Sequence, residues 1–230
     1  GAVTIEDVEK AAATPAKGPA PAVDRAAEMR KAIAAAMSRS KREIPHYYLA
    51  ESIPMRRAQA WLAELNATRP ITGRILMAAL QLRAVALALR GFPELNGGVA
   101  ISLRQGGLVA PGIRGVQGLA IDVLMARLAD LVKRARAGTL RSSEFSDPTI
   151  TVTNLGDTGV ESTFPVIYPP QGAIVGFGRV AQRPWVEGGA VVALPVVVAT
   201  LAADHRVSDG HRGAAFLAEL SRCLQHPEEP

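Results

Sequence analysis

Val191-Val192-Ala193-Leu194-Pro195-Val196-Val197-Val198-Ala199-Thr200 runs through Leu201-Ala202-Ala203 into Asp204-His205-Arg206-Val207-Ser208-Asp209-Gly210, and a stretch with helical spacing follows. β-Branched residues dominate Val191 to Thr200, which reads as a strand. From Gly210 to Leu224 the apolar positions Ala214, Leu217, Leu220 and Leu224 make one buried stripe of a final helix. A polar cluster therefore sits where an apolar strand gives way to a helix.

Two further stretches, Thr149 to Thr153 and Ala173 to Phe177, are also β-branched and bounded by Gly or Pro, so they read as strands. Toward the N-terminus the periodicity changes. Asp24 is placed to cap a helix with Ala26, Met29, Ile33 and Met37 on one face, and Arg30 beside that stripe. Pro45-His46-Tyr47-Tyr48-Leu49 reads as the start of a strand. Ile71 to Arg90 reads as one long helix ending near Gly91 and Pro93. Val99 to Leu103 and Leu108 to Pro111 flank Arg104-Gln105-Gly106-Gly107 as a hairpin. Ile121, Leu124, Leu128, Leu131 and Ala135 space a second long helix, stopped by Gly138. Helices first and strands later imply an α+β sandwich whose sheet is covered by helices.

The 230 residues are 48% hydrophobic, enough for a sizeable core. The net charge of +5 is spread over pairs such as Lys41-Arg42 and Arg56-Arg57, which suits a nucleotide phosphate as well as a polymer. Cys223 is the sole cysteine, so neither an internal disulfide nor a cysteine-based metal site can form, and a reducing cytosol is expected. The apolar stretch Ile71 to Leu89 carries Arg74, Gln81 and Arg83, which favours a buried helix over a membrane span. No export signal is visible at the start.

Three segments follow. In residues 1–11, Thr4-Ile5-Glu6-Asp7 has the spacing of a helix cap before a short helix. Residues 12–23 are rich in Ala and Pro, with Pro15, Pro19 and Pro21 favouring an extended linker. Residues 24–230 hold the main domain.

Asp204-His205-Arg206-Val207-Ser208-Asp209-Gly210 has two readings. In one, Asp209 caps the helix and His205 is a satisfied histidine at a strand end. In the other, His205 is a general base: an imidazole with a pKa of roughly 6.5 can take the proton of a thiol whose pKa is about 8.5. Asp209 would then hold the loop and the ring, with Arg30 or Arg206 as its cation. Thr153-Asn154-Leu155-Gly156 is likewise either a turn with a solvated threonine or a hydroxyl placed to donate to an oxyanion.

The tetrad ending in Asp209-Gly210 is similar to the His-x-x-x-Asp-Gly signature of dihydrolipoamide acyltransferases, the core components of 2-oxo acid dehydrogenase complexes, and of the related chloramphenicol acetyltransferases. Other stretches agree in order: Arg30-Lys31-x-Ile33 with Met37, Ile44-Pro45-His46-Tyr47-Tyr48, Pro93-Glu94-Leu95-Asn96, Gly107-Leu108-Val109-Ala110-Pro111, Thr153-Asn154-Leu155-Gly156 and Pro169-Pro170-Gln171. The resemblance implies a chloramphenicol-acetyltransferase-like sandwich with a mixed β-sheet and an active site between subunits of a trimer. It implies transfer of an acyl group, acetyl or branched-chain, between dihydrolipoamide and coenzyme A. His205 would be the base, Asp209 its support and Thr153 the oxyanion donor where many relatives have serine. Asn154, Thr72 and Ser102 match positions lining the coenzyme A channel. The connection at Asn96-Gly97-Gly98-Val99 is shorter than the family's.

Residues 1–11 resemble the tail of a peripheral-subunit-binding domain, and the lipoyl group would be carried on a domain outside this chain. The implied partners are further copies forming a cubic or dodecahedral core, a 2-oxo acid decarboxylase and a dihydrolipoamide dehydrogenase. No nucleic acid, membrane or metal is called for, and the location expected is cytoplasmic. Two other classes remain: a metal hydrolase using Asp204, His205 and His211, and a non-catalytic scaffold core. Cys223, on the apolar side of the last helix, reads as a core residue rather than an acyl carrier.

Overall fold

The computed structural model describes residues 3–7, 9, 24–95, 98–101, 110–142, 144 and 148–229. Residues 5–7 are helical behind Thr4, whose backbone amide and hydroxyl both donate to Asp7 Oδ2, at 3.0 and 2.8 Å. The expected linker, residues 12–23, lies outside the described residues, as does the turn Arg104 to Gly107 and the short connection at Asn96-Gly97.

In chain order the elements are α1 (Arg25–Glu43), β1 (His46–Pro54), α2 (Arg56–Asn66), α3 (Met77–Ala88), β2 (Val99–Ile101), β3 (Gly112–Ile113), α4 (Ile121–Arg136), β4 (Ile150–Asn154), β5 (Ala173–Phe177), β6 (Ala181–Glu187), β7 (Ala190–Asp204) and α5 (Gly210–Gln225). One mixed sheet runs β1-β7-β5-β4-β2-β3, with β6 on the far part of β7. β2, β4 and β5 are parallel, whereas β7 is antiparallel to β1, β5 and β6. This is the α+β sandwich with a mixed sheet that the sequence implies.

Alternation along the strands gives the sheet two unlike faces. Ile150 and Val152, then Ala173, Val175 and Phe177, then Val197, Ala199, Leu201 and Ala203 point to one side, where they are buried with α3, α4 and α5 in the main core. The residues between them point to the other side and bury only a small cluster, Ile44, Ile167, Ile174 and Ala202. The segment after β4 crosses part of that second face, tied by Thr200 Oγ1 to the Thr163 carbonyl and by Ser40 Oγ of α1 to that of Ile167.

The long helix expected over Ile71 to Arg90 begins only at Met77. Asn66 explains the break: its side chain accepts from Ile75 N at 2.8 Å and donates to Ile75 O at 2.9 Å, which holds Ile75 out of a helical ladder. The residues before it form a single 3-10 turn, Ile71–Gly73, with Ile71 in solvent. From Met77 on, Ala79, Leu80, Leu82, Val85 and Ala86 are buried, so the apolar stretch is a core helix.

Candidate active site

His205 stands one residue beyond β7. Its backbone amide donates to the Pro45 carbonyl at 3.0 Å, and Val207 and Ser208 fold back on the Asp204 carbonyl at 2.9 and 3.0 Å. The imidazole is exposed and meets no hydrogen-bond partner among the described residues; its one ring contact is Tyr47 of β1, edge-on with centroids 5.3 Å apart. A histidine whose backbone is anchored while its exposed ring holds no side-chain hydrogen bond among the described residues can exchange a proton with a substrate. It is not a satisfied core histidine.

Asp209 does what a capping residue does. Its Oδ1 accepts from the Arg212 amide at 2.9 Å, starting α5. That bond, with the His211 amide and the nearby imidazoles, holds its carboxyl below the usual range despite partial desolvation. The cation expected for it is not Arg30 or Arg206. Arg30 lies 4.0 Å from Asp24. Arg206 turns back on Asp204, with Nε and Nη2 both on the carboxylate at 2.7 to 3.1 Å, because the tight turn sets residues two apart side by side. The Arg206 guanidinium holds the buried Asp204 carboxyl low, against a burial penalty that raises it. With its oxygens so occupied, Asp204 is a poor ligand for the metal site considered with His205 and His211.

Thr153 lies on the second face of β4, 8% exposed. Two other hydroxyls on that face are satisfied: Thr151 donates to Gln171 Oε1 and Thr200 to Thr163 O, both at 2.5 Å. Among the described residues the Thr153 hydroxyl has no partner, so its donor is available. Asn154 points to the helical side instead, giving its amide to Gln81 Oε1 of α3 at 2.6 Å and taking the Gly156 amide at 2.8 Å. Thr72 sits exposed on the Ile71–Gly73 turn, and Ser102 lies outside the described residues.

The register separates the two groups with the most chemistry. Thr153 pairs with Gly176 and Gly176 with Thr200, whereas Asp204 pairs with His46, four residues further along β7. At about 3.3 Å per residue and about 4.8 Å per strand, the Cα of Thr153 lies ~16 Å from that of Asp204, and His205 lies beyond it. The base must reach the attacking sulfur and the donor the carbonyl oxygen, both bonded to one carbon in the tetrahedral intermediate, so a separation this wide favours Thr153 and His205 of different chains. A cleft of about 600 Å³ lies elsewhere, between β2, β3 and α4 around Arg114, Arg127, Arg134 and Arg141, and neither residue lines it.

An exposed histidine on a strand-to-helix turn and a buried threonine hydroxyl without a partner among the described residues are the kinds of group that acyl transfer uses as base and oxyanion donor. The chain belongs to the 2-oxoacid dehydrogenases acyltransferase (catalytic domain) family, whose model matches residues 20–230. It is 31% identical over 215 residues to the dihydrolipoyllysine-residue acetyltransferase component of the pyruvate dehydrogenase complex of Zymomonas mobilis, covering 86% of this chain and 49% of that protein. It is 33% identical over 216 residues to the lipoamide acyltransferase component of the branched-chain alpha-keto acid dehydrogenase complex of Pseudomonas aeruginosa, covering 86% and 50%. The chain thus spans about half the length of these relatives. The cubic core of a pyruvate dehydrogenase multienzyme complex shares its fold, with a TM-score of 0.80 at 24% identity over 90% of this chain and 96% of that one.

Tyr47 and Gln171 stand in quoted stretches of the sequence, but sequence reasoning gave neither a role of its own. Tyr47 reads only as a strand aromatic, although its place two residues after Pro45 sets it against the turn. Gln171 follows the Pro169-Pro170 pair, and the partner it offers Thr151 is visible only once β4 and the turn before β5 are adjacent.

Proposed function

We propose that this chain is the acyl-transfer core of a 2-oxo acid dehydrogenase complex and moves an acyl group between dihydrolipoamide and coenzyme A. The observation that carries the reading is the pairing of an exposed, backbone-anchored His205 with an unpartnered Thr153 hydroxyl, in a chain of this family.

The chemistry is direct transfer. A ring nitrogen of His205 takes the proton of one thiol, and the thiolate sulfur forms a bond to the thioester carbonyl carbon. The tetrahedral oxyanion accepts a hydrogen bond from a threonine hydroxyl; collapse breaks the original carbon–sulfur bond, and the departing thiolate regains the proton from the imidazolium. Asp209 acts through the turn it caps. Thr153 of one chain serves His205 of its neighbour, so the working unit is an oligomer: a trimer, built further into a cubic or dodecahedral core. The ~16 Å separation within one chain supports this arrangement. The lipoyl group arrives on another domain, and the decarboxylase and dihydrolipoamide dehydrogenase are the partners that load and reoxidise it. Asn154, Thr72 and Ser102 remain our candidates along the coenzyme A path, Asn154 by positioning α3 against β4. The location proposed is the cytoplasm.

The relatives include both acetyl and branched-chain enzymes, and one methylene in an apolar pocket is worth only about 1–3 kcal/mol, so neighbouring acyl groups are expected to compete. The test is thioester exchange between dihydrolipoamide and acetyl, isobutyryl or succinyl coenzyme A. Wild type should transfer, and His205→Ala, at the same oligomeric state, should lose about 10²- to 10⁴-fold in kcat. Equal activity in the two proteins would leave a scaffold as the better reading.

A further inference from the structure

We propose that Tyr47 is the positioning residue for His205: its ring, wedged against α5, fixes the plane of the imidazole and covers one edge of it. The inference rests on the acyl-transfer reading of His205 but concerns a residue outside the acid–base machinery.

The geometry comes from three sides. β1 pairs with β7 so that Tyr47 is opposite Ala203, two residues before His205, on the helix-covered side. The Tyr47 and His205 rings meet at 5.3 Å with a 70° interplanar angle, an arrangement in which the positive edge of one ring faces the negative face of the other. The phenol is anchored separately, donating to Ser208 Oγ at 3.1 Å, and Ser208 is itself buried in the turn between His205 and Asp209. On the third side is α5. A Cβ on Gly213 would stand 2.7 Å from Tyr47 Oη, 2.8 Å from its Cε2 and 2.9 Å from Leu49 Cδ1, so the ring fits only because residue 213 has no side chain. Gly213 N in turn donates to the Asp209 carbonyl at 2.9 Å.

One aromatic side chain thus touches the base, the serine beside it and the helix that Asp209 caps. Burial raises the phenol's pKa, and the Asp209 and Glu94 carboxylates push the same way against the Ser208 bond, so at neutral pH the hydroxyl keeps its proton and remains a donor. An imidazole with no hydrogen bond of its own among the described residues needs some other restraint, and this ring contact is the one the fold supplies.

The experiment compares Tyr47→Leu, Tyr47→Phe and Gly213→Ala with wild type in the assembled oligomer, reading kcat and KM for thioester exchange. In parallel, carbethoxylation of His205 by diethyl pyrocarbonate is read by mass spectrometry, with exposed His211 as internal standard. Tyr47→Leu should lower kcat about 10- to 100-fold with KM for both thiols nearly unchanged, the signature of a displaced group rather than lost binding. Tyr47→Phe, which keeps the ring and loses only the Ser208 bond, should stay within about threefold of wild type. Gly213→Ala, which moves the ring without altering it, should fall toward Tyr47→Leu. His205 carbethoxylation should rise relative to His211 in Tyr47→Leu and Gly213→Ala.

A kcat for Tyr47→Leu within about twofold of wild type, or equal losses in Tyr47→Phe and Tyr47→Leu, would overturn the assignment. If wild type itself transfers no acyl group, the functional reading fails while the carbethoxylation ratios still decide whether Tyr47 holds the ring.

Discussion

The two faces of the sheet are made from the same strands by alternate residues, and they have opposite chemistry. On the helix-covered face β4 presents Ile150 and Val152, β5 presents Ala173, Val175 and Phe177, and β7 presents Val197, Ala199, Leu201 and Ala203, all buried. On the other face the same strands present Thr151, Thr153, Gly176 and Thr200 beside a cluster of only four apolar residues. A hydroxyl placed in a sheet needs a partner, and two of the three threonines have one inside the chain. Thr153 has none among the described residues, and on the proposed function its hydroxyl serves the substrate instead. One face holds the fold together; the other, on the proposed function, is where substrate is met.

The comparison breaks first if a change confined to the covered face alters turnover. Leu124 of α4 is fully buried there, and Leu124→Ala should destabilise the protein by about 2–5 kcal/mol, read as a shift in denaturant midpoint. Below the new transition its kcat should match wild type. A specific loss of kcat in fully folded protein would mean that the two faces are not separable.

Thr153→Val makes the converse case. It keeps the shape and removes the donor, so kcat should fall about 10²- to 10³-fold while the melting temperature stays put, because no internal hydrogen bond is broken. Thr151→Val, one turn of the pleat away on the same face, should reverse the pattern by stripping Gln171 of its buried donor, costing about 1–3 kcal/mol of stability. If both variants lose only stability, Thr153 is structural and the oxyanion donor lies elsewhere.

The sequence carried the architecture wherever local pattern and tertiary environment agree. α4 ends with Gly138 in the left-handed region at φ 67°, as a glycine stop implies, and the last helix runs from Gly210. It failed where a distant side chain overrode the pattern, as Asn66 does at Ile75. β6 was missed because Pro184 weakens it as a strand. The Gly188-Gly189 pair that joins it to β7, with both φ positive, was the available signal, and the proline is tolerated because β6 is an edge. α2 was not expected either. The motif around His205 marked the exposed strand-to-helix turn, but the separation of Thr153 from His205 was not legible, because it depends on strand order and register, which no local spacing encodes.

Asp204 belongs to the second face by alternation yet is buried and bound to Arg206, so it tests whether that face is wholly functional. Its folded pKa is depressed, so the stability it contributes is fully present above the ordinary carboxylate range. That contribution is lost as pH falls through the depressed value. Asp204→Asn should therefore cost about 1 kcal/mol at pH 7, at the low end because the Arg206 side chain is more than half exposed, and the difference from wild type should shrink below about pH 4. A pH-independent difference would assign Asp204 a packing role instead.

Cys223 is where the smallest effect is expected, and it sharpens the comparison from the covered side. On the proposed function a lone thiol invites a covalent route, in which the acyl group rests on the protein between its two carriers. Transfer to a cysteine needs the thiolate and access, and Cys223 has neither. It lies in the main core on α5, 5% exposed, and burial, followed by the nearby Glu219 carboxylate, pushes its thiol up to about 11. Direct transfer needs no such residue. Cys223→Ser should keep kcat within about twofold, with only a modest change in stability, since the thiol already lies 3.7 Å from a Glu219 carboxylate oxygen that a hydroxyl could meet. A burst of product equal to one acyl group per chain, present in wild type and absent in Cys223→Ser, would show the covered face taking part in the chemistry.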